Sequence, residues 1–68
     1  MAKIVAVKVE NGSVRCYDLH GHYVTSISSR STNSIASAVV NGEVITVTEK
    51  KGTVILYDAN NGQWKRNL

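Results

Sequence analysis

The 68-residue sequence predicts an all-β protein built from two related halves. Three observations carry this. Valine, isoleucine, threonine and tyrosine dominate, and these residues fit pleated, half-buried surfaces. Turn residues recur every eight to twelve positions, at Asn11-Gly12, His20-Gly21, Asn41-Gly42, Lys51-Gly52 and Asn60-Asn61-Gly62, a spacing of short strands joined by tight turns. Finally, the stretch GTVILYDANNGQW at 52–64 has a paler copy, GSVRCYDLHGHY, at 12–23.

The turns divide the chain into seven strands: Lys3–Glu10, Ser13–Leu19, His22–Ser28, Ile35–Val40, Glu43–Glu49, Thr53–Asp58 and Gln63–Asn67. Asn-Gly between the first and second strands, and again between the fourth and fifth, is the strongest short hairpin signal, because a type I′ turn needs positive φ at both central residues. The connector SSRSTNS, residues 28–34, is polar and rich in hydroxyls. In the second half both strand faces are apolar. Val44 opposes Ile45 and Val47, and Val54 and Leu56 oppose Ile55 and Tyr57. A sheet with one wet face would alternate apolar and polar residues instead.

A shift of forty aligns the halves. Val7 meets Val47, Gly12 meets Gly52, Val14 meets Val54, Tyr17 meets Tyr57 and Asp18 meets Asp58, with Ile4–Val44, Val5–Ile45 and Cys16–Leu56 as conservative pairs. Past the aspartates the second half has one extra turn residue, and a shift of forty-one aligns Gly21 with Gly62 and Tyr23 with Trp64. A period near forty with three or four strands per unit is the spacing of a propeller blade. GTVILYDANNGQWKRNL and GSVRCYDLHGHYVTSI resemble the end of a WD-repeat blade: a glycine turn, a strand ending in aromatic-Asp, a second glycine turn, then an outer strand. Tyrosine replaces the signature tryptophan, and the Gly-His dipeptide that precedes such blades is missing.

The resemblance implies a single domain over 1–68, with a partial blade at 3–28, a linker at 28–34 and a full blade at 35–68. Counted outward from a propeller axis, 35–68 supplies all four strands and 3–28 only the second to fourth. Propellers close with four to eight blades, and two alone leave apolar faces in water. Closure by homo-oligomerisation is therefore expected, as a trimer with six blades; small lectins that trimerise in this way have the same plan. A monomeric six- or seven-stranded β-barrel is the alternative. Size argues for association as well. In so short a chain, burial and ordering entropy nearly cancel, and the lone Cys16 offers no internal disulfide.

Few residues invite chemistry. Asp18 and Asp58 recur at strand ends, where an aspartate fixes a turn by accepting backbone N–H groups. Tyr17 and Tyr57 read as packing residues with a polar tip. With Gly12, Gly21, Gly52 and Gly62 these form the structural repeat. His20 and His22 flank Gly21 but fall short of the four ligands structural zinc requires, so no metal or other cofactor is expected. Cys16 aligns with Leu56 and reads as a small apolar residue. No triad, paired-carboxylate or phosphate-loop signature stands out, and the chain is not expected to be an enzyme.

The leading ligand candidates are Arg30 and Asn33 in the connector, then Trp64, Lys65 and Arg66. The expected function is a non-enzymatic binding or scaffold module whose oligomer presents loops to a protein or glycan. A net charge of +3 and the aromatic-basic run at 64–66 support a weaker alternative, a small basic barrel that binds nucleic acid. The longest apolar runs have four residues, far short of the roughly 20 a membrane helix needs. Lys8 interrupts the apolar start, so no signal-peptide core is read there. A cytoplasmic location is the expectation.

Overall fold

The structure is a computed structural model that describes residues 3–10, 12–28 and 35–68. Within them the chain is all-β, with two antiparallel sheets and no helix. The first sheet has the order β1 (Ala6–Glu10), β2 (Ser13–Tyr17), β3 (Tyr23–Ser28). The second has the order β4 (Ile35–Asn41), β5 (Val44–Glu49), β6 (Val54–Asp58), β7 (Trp64–Asn67). Each sheet is a simple meander, as short turns between sequential strands require. The seven expected strands are all present; six have shorter ends, and β4 runs one residue further, to Asn41.

Two turn details differ from the sequence reading. Lys3–Val5 lies outside β1: the Ile4 N–H donates to the Ala59 carbonyl of the second half at 2.8 Å, and Val5 N–H to the Tyr17 carbonyl at 2.9 Å. Ile4 is thus drawn onto the other half, and Val5 returns to its own sheet just before the ladder begins. In the second Asn-Gly hairpin, Asn41 pairs with Val44, so Gly42 and Glu43 are the central residues. Gly42, with φ +64°, takes the first central place, where glycine sits in a type II′ turn. The first Asn-Gly hairpin has the expected register, with Glu10 opposite Ser13 and Gly12 at φ +79°.

The two sheets share one core, formed by Ile4, Val14, Cys16 and Ile27 from the first half and Ile35, Ile45, Val47 and Ala59 from the second. Val7, Val9, Val24, Ala38, Val40 and Tyr57 pack around it. The strands that come closest between the sheets are β1 and β4. Register then fixes which face each side chain takes, since paired residues share a face and neighbours alternate. In the first sheet Val7–Cys16 and Val9–Val14 face the core, while Lys8–Arg15, Glu10–Ser13 and Ala6–Tyr17 face away. In the second, Ile45–Tyr57 and Val47–Ile55 face the core, while Thr46–Leu56, Thr48–Val54 and Val39–Thr46 face away.

The first sheet thus alternates cleanly, with a polar outer face. The second is apolar on both faces: Val39 on the outer one is 58% exposed, and Val44, Val54 and Leu56 are half-buried. Residues of β2 and β6 that correspond at a shift of forty take opposite faces, whereas Val7 and Val47, also forty apart, both face the core, because the turn between β5 and β6 holds one residue more than that between β1 and β2. Val14 and Cys16 face into the core, whereas Val54 and Leu56 face away from it.

The Cys16 thiol is fully buried, and burial pushes its pKa up. Only the thiolate reacts readily, so a disulfide-exchange reagent should label native Cys16 far more slowly than the urea-unfolded chain. Equal rates would contradict the packing.

Candidate functional site

The two strand-end turns are built alike. The Asp18 backbone N–H donates to the His22 carbonyl at 3.0 Å, and its carbonyl accepts from Gly21 N–H at 3.1 Å. Asp58 does the same with Gln63 at 2.8 Å and Gly62 at 2.7 Å. The second turn therefore spans one more residue. Each carboxylate holds its corner from inside: Asp18 Oδ1 accepts from the His20 and His22 N–H groups, both at 2.9 Å, and Asp58 Oδ1 from Asn60 N–H at 2.8 Å. Both sheets then slip register at the same place, between Cys16 and Tyr17 and between Leu56 and Tyr57, and pair the tyrosine with the next aromatic, Tyr23 or Trp64.

Hydrogen bonding from the His22 and then the His20 backbone, with a smaller effect of the histidine charges, holds the Asp18 carboxyl below its ordinary value against opposing desolvation. A depressed pKa stabilises the fold above the unfolded-state value, about 3.9. That contribution is lost as pH falls through the lower folded-state value. Asp18→Asn keeps an acceptor oxygen but cannot titrate. In circular-dichroism acid titrations it should show a shallower loss of stability below about pH 4 than the wild type; an identical acid limb would refute this role.

His20 and His22 are exposed, with ring centroids 6.2 Å apart and His22 Nδ1 4.0 Å from Asp18 Oδ2. Among the described residues no group of three or more His, Cys, Asp or Glu side chains is placed to hold a metal ion.

Arg30 and Asn33 lie outside the described residues. Trp64, Lys65 and Arg66 are exposed on the edge strand β7. Trp64 is 61% exposed and donates its indole N–H to Asn67 Oδ1 at 2.9 Å. Trp64 pairs with Tyr57 and Arg66 with Leu56, and Lys65 falls at the register slip between them. The three therefore do not converge on one point.

A different cluster does converge. On the outer face of the first sheet, Arg15 Nε donates to the Tyr17 hydroxyl at 3.2 Å, and the Arg15 guanidinium stacks 4.9 Å from the centroid of the Tyr23 ring. Tyr17 and Tyr23 meet edge to face at 6.4 Å. The Tyr17 hydrogen bond, above all, raises the Arg15 pKa. The signal was present in the sequence, since Arg15 and Tyr17 stand two apart on a strand, but Tyr23 joins them only through β2–β3 pairing.

Compared with protein-family models, curated proteins and solved structures, the chain gives no match. No helix among the described residues is long and apolar enough to cross a membrane.

Proposed function

We propose that the chain is a non-enzymatic binding and scaffold module that works as a head-to-tail ring of copies, each contributing two propeller-like blades. The observation that carries this reading is the opposite placement of corresponding residues of β2 and β6. Two sheets related by a two-fold axis would turn equivalent residues toward one another. Sheets related by rotation about an axis beside them all turn the same face forward. Val14 and Cys16 then look onto the second sheet, and Val54 and Leu56 look beyond it, onto the place of a third sheet. Repetition of this head-to-tail kind makes closed rings when the rotation permits, and three copies would give six blades. The matched turns and register slips in the two sheets support the same reading.

Such a ring would show the β7 rim, with Trp64, Lys65 and Arg66, once per copy. Repeated presentation raises avidity without new contacts and suits a glycan or a protein partner. Multi-angle light scattering at micromolar concentration should give a mass about three times the 7.4 kDa of the chain. A monodisperse monomer would end the proposal.

The Arg15–Tyr17–Tyr23 cluster favours a second reading, in which an uncovered first sheet stacks bases of a single-stranded nucleic acid. That reading needs a monomer whose binding falls steeply with salt. The absence of any shift with an oligonucleotide at low salt would remove it.

A further inference from the structure

We infer that Lys8 and Arg15 hold one backbone phosphate of a single-stranded nucleic acid on the outer face of the first sheet, and that Tyr23 carries the base beside it. The inference rests on the second reading above, in which that sheet is uncovered, and it names the groups that bind. Strand register matches β1 to β5 at a shift of thirty-nine and β2 to β6 at forty. In the second sheet Ile45, Val47 and Ile55 face the core; their counterparts in the first, Ala6, Lys8 and Arg15, are exposed on the outer face. This face thus carries cations where the second sheet turns aliphatic side chains to the core, which suits an anionic ligand.

The cations are also set against each other. Lys8 stands directly opposite Arg15 in the β1–β2 ladder, and like charges in that position repel. Glu10 lies 3.7 Å from Lys8, but both side chains are exposed, and such an ion pair contributes little. Among the described residues Arg15 has no ion-pair partner. Its Nε donates to the Tyr17 hydroxyl at 3.2 Å, and its Cζ lies 4.9 Å from the centroid of the Tyr23 ring. The guanidinium is therefore held, and its Nη groups can supply the fork that matches a phosphate. An anion between Lys8 and Arg15 relieves their repulsion, and Ser26, opposite Arg15 on β3, adds a hydroxyl. Tyr23 is 52% exposed even with the guanidinium over it, so ring surface remains on which a base can stack.

Fluorescence anisotropy with a labelled thymidine oligonucleotide, titrated at several salt concentrations, tests this. On a single strand the salt slope of the logarithm of the binding constant is about 0.7 per phosphate neutralised. Lys8→Ala should reduce the slope by about that amount, whereas Lys65→Ala on β7, which removes the same charge, should leave it unchanged. Tyr23→Leu should weaken binding about tenfold with the slope kept, as loss of a stacked base does. Arg15→Lys keeps the charge but loses the fork, and should also lower affinity at an unchanged slope. Lys8, Arg15, Tyr23 and Lys65 are exposed, so circular-dichroism melts should show every variant folded.

If the wild type gives no anisotropy change at low salt, this inference and the reading beneath it both fall. If it binds but Lys8→Ala and Lys65→Ala lower the slope equally, the protein acts as a diffuse cation, and the inference is overturned while nucleic-acid binding stands. If Tyr23→Leu binds the oligonucleotide as tightly as the wild type and heparin displaces it, the face takes any polyanion and the base contact is refuted.

Discussion

Replacing Ile45 with alanine should remove a large part of the protein's stability, about 2–5 kcal/mol. Ile45 is fully buried and faces the core beside Val47 and Tyr57, where its β5 strand pairs with both β4 and β6. Truncating a buried isoleucine removes its transfer free energy and leaves a cavity, a cost of about 2–5 kcal/mol. A chain of 68 residues has a total stability of roughly 3–10 kcal/mol, so the loss is a large part of it. Urea titration followed by circular dichroism should show the midpoint collapse, whereas Lys50→Ala in an exposed turn should shift it little. If Ile45→Ala keeps a near wild-type midpoint, the shared core is not where the structure puts it.

Gly62→Ala is expected to have the next largest effect, and to exceed Gly42→Ala clearly. Both glycines have positive φ, +73° and +64°, so both substitutions carry a left-handed penalty of about 1–2 kcal/mol. Around Gly42 an added Cβ meets nothing within 4 Å, but at Gly62 it would lie 3.0 Å from Thr25 Cγ2 and 3.9 Å from Ile4 Cδ1. Thr25 is β-branched and stiff at χ1, and it belongs to the other sheet, so relief requires the two sheets to part slightly. Thr25→Ser removes the obstructing methyl. In the Gly62→Ala background it should bring the cost down toward that of Gly42→Ala, a coupling that a double-mutant cycle reads directly. Additive effects would show that the Asp58–Gly62 turn does not pack on the first sheet.

Much of the fold was legible because the signals are local. Glycines at five turns, all with positive φ, and β-branched runs between them place the strands to within a few residues. The Asp18 and Asp58 corners were legible for the same reason: an aspartate two residues before a backbone N–H can close the turn without help from the rest of the chain. The errors fall where a distant group competes. Lys3–Val5 read as strand, but Ala59 supplies the partner for Ile4. Asn41-Gly42 read as the centre of a type I′ turn, but β4 runs on to Asn41, and its pairing with Val44 moves the turn by one residue.

The candidate site was less legible. Trp64, Lys65 and Arg66 are adjacent in sequence yet divide across a register slip, and the Arg15–Tyr17–Tyr23 cluster forms only once β2 and β3 pair. Sequence by itself determined that the chain would be all-β, where it would turn, and that its second half would be apolar on both faces, because these follow from backbone preference and alternation along single strands. Only the tertiary structure decided that the first sheet keeps a polar outer face, and that Val14 and Cys16 point into the shared core while Val54 and Leu56 point out of it. The physical reason is that a strand's alternation defines two faces without saying which is covered. That choice is made by the sheet that packs against it.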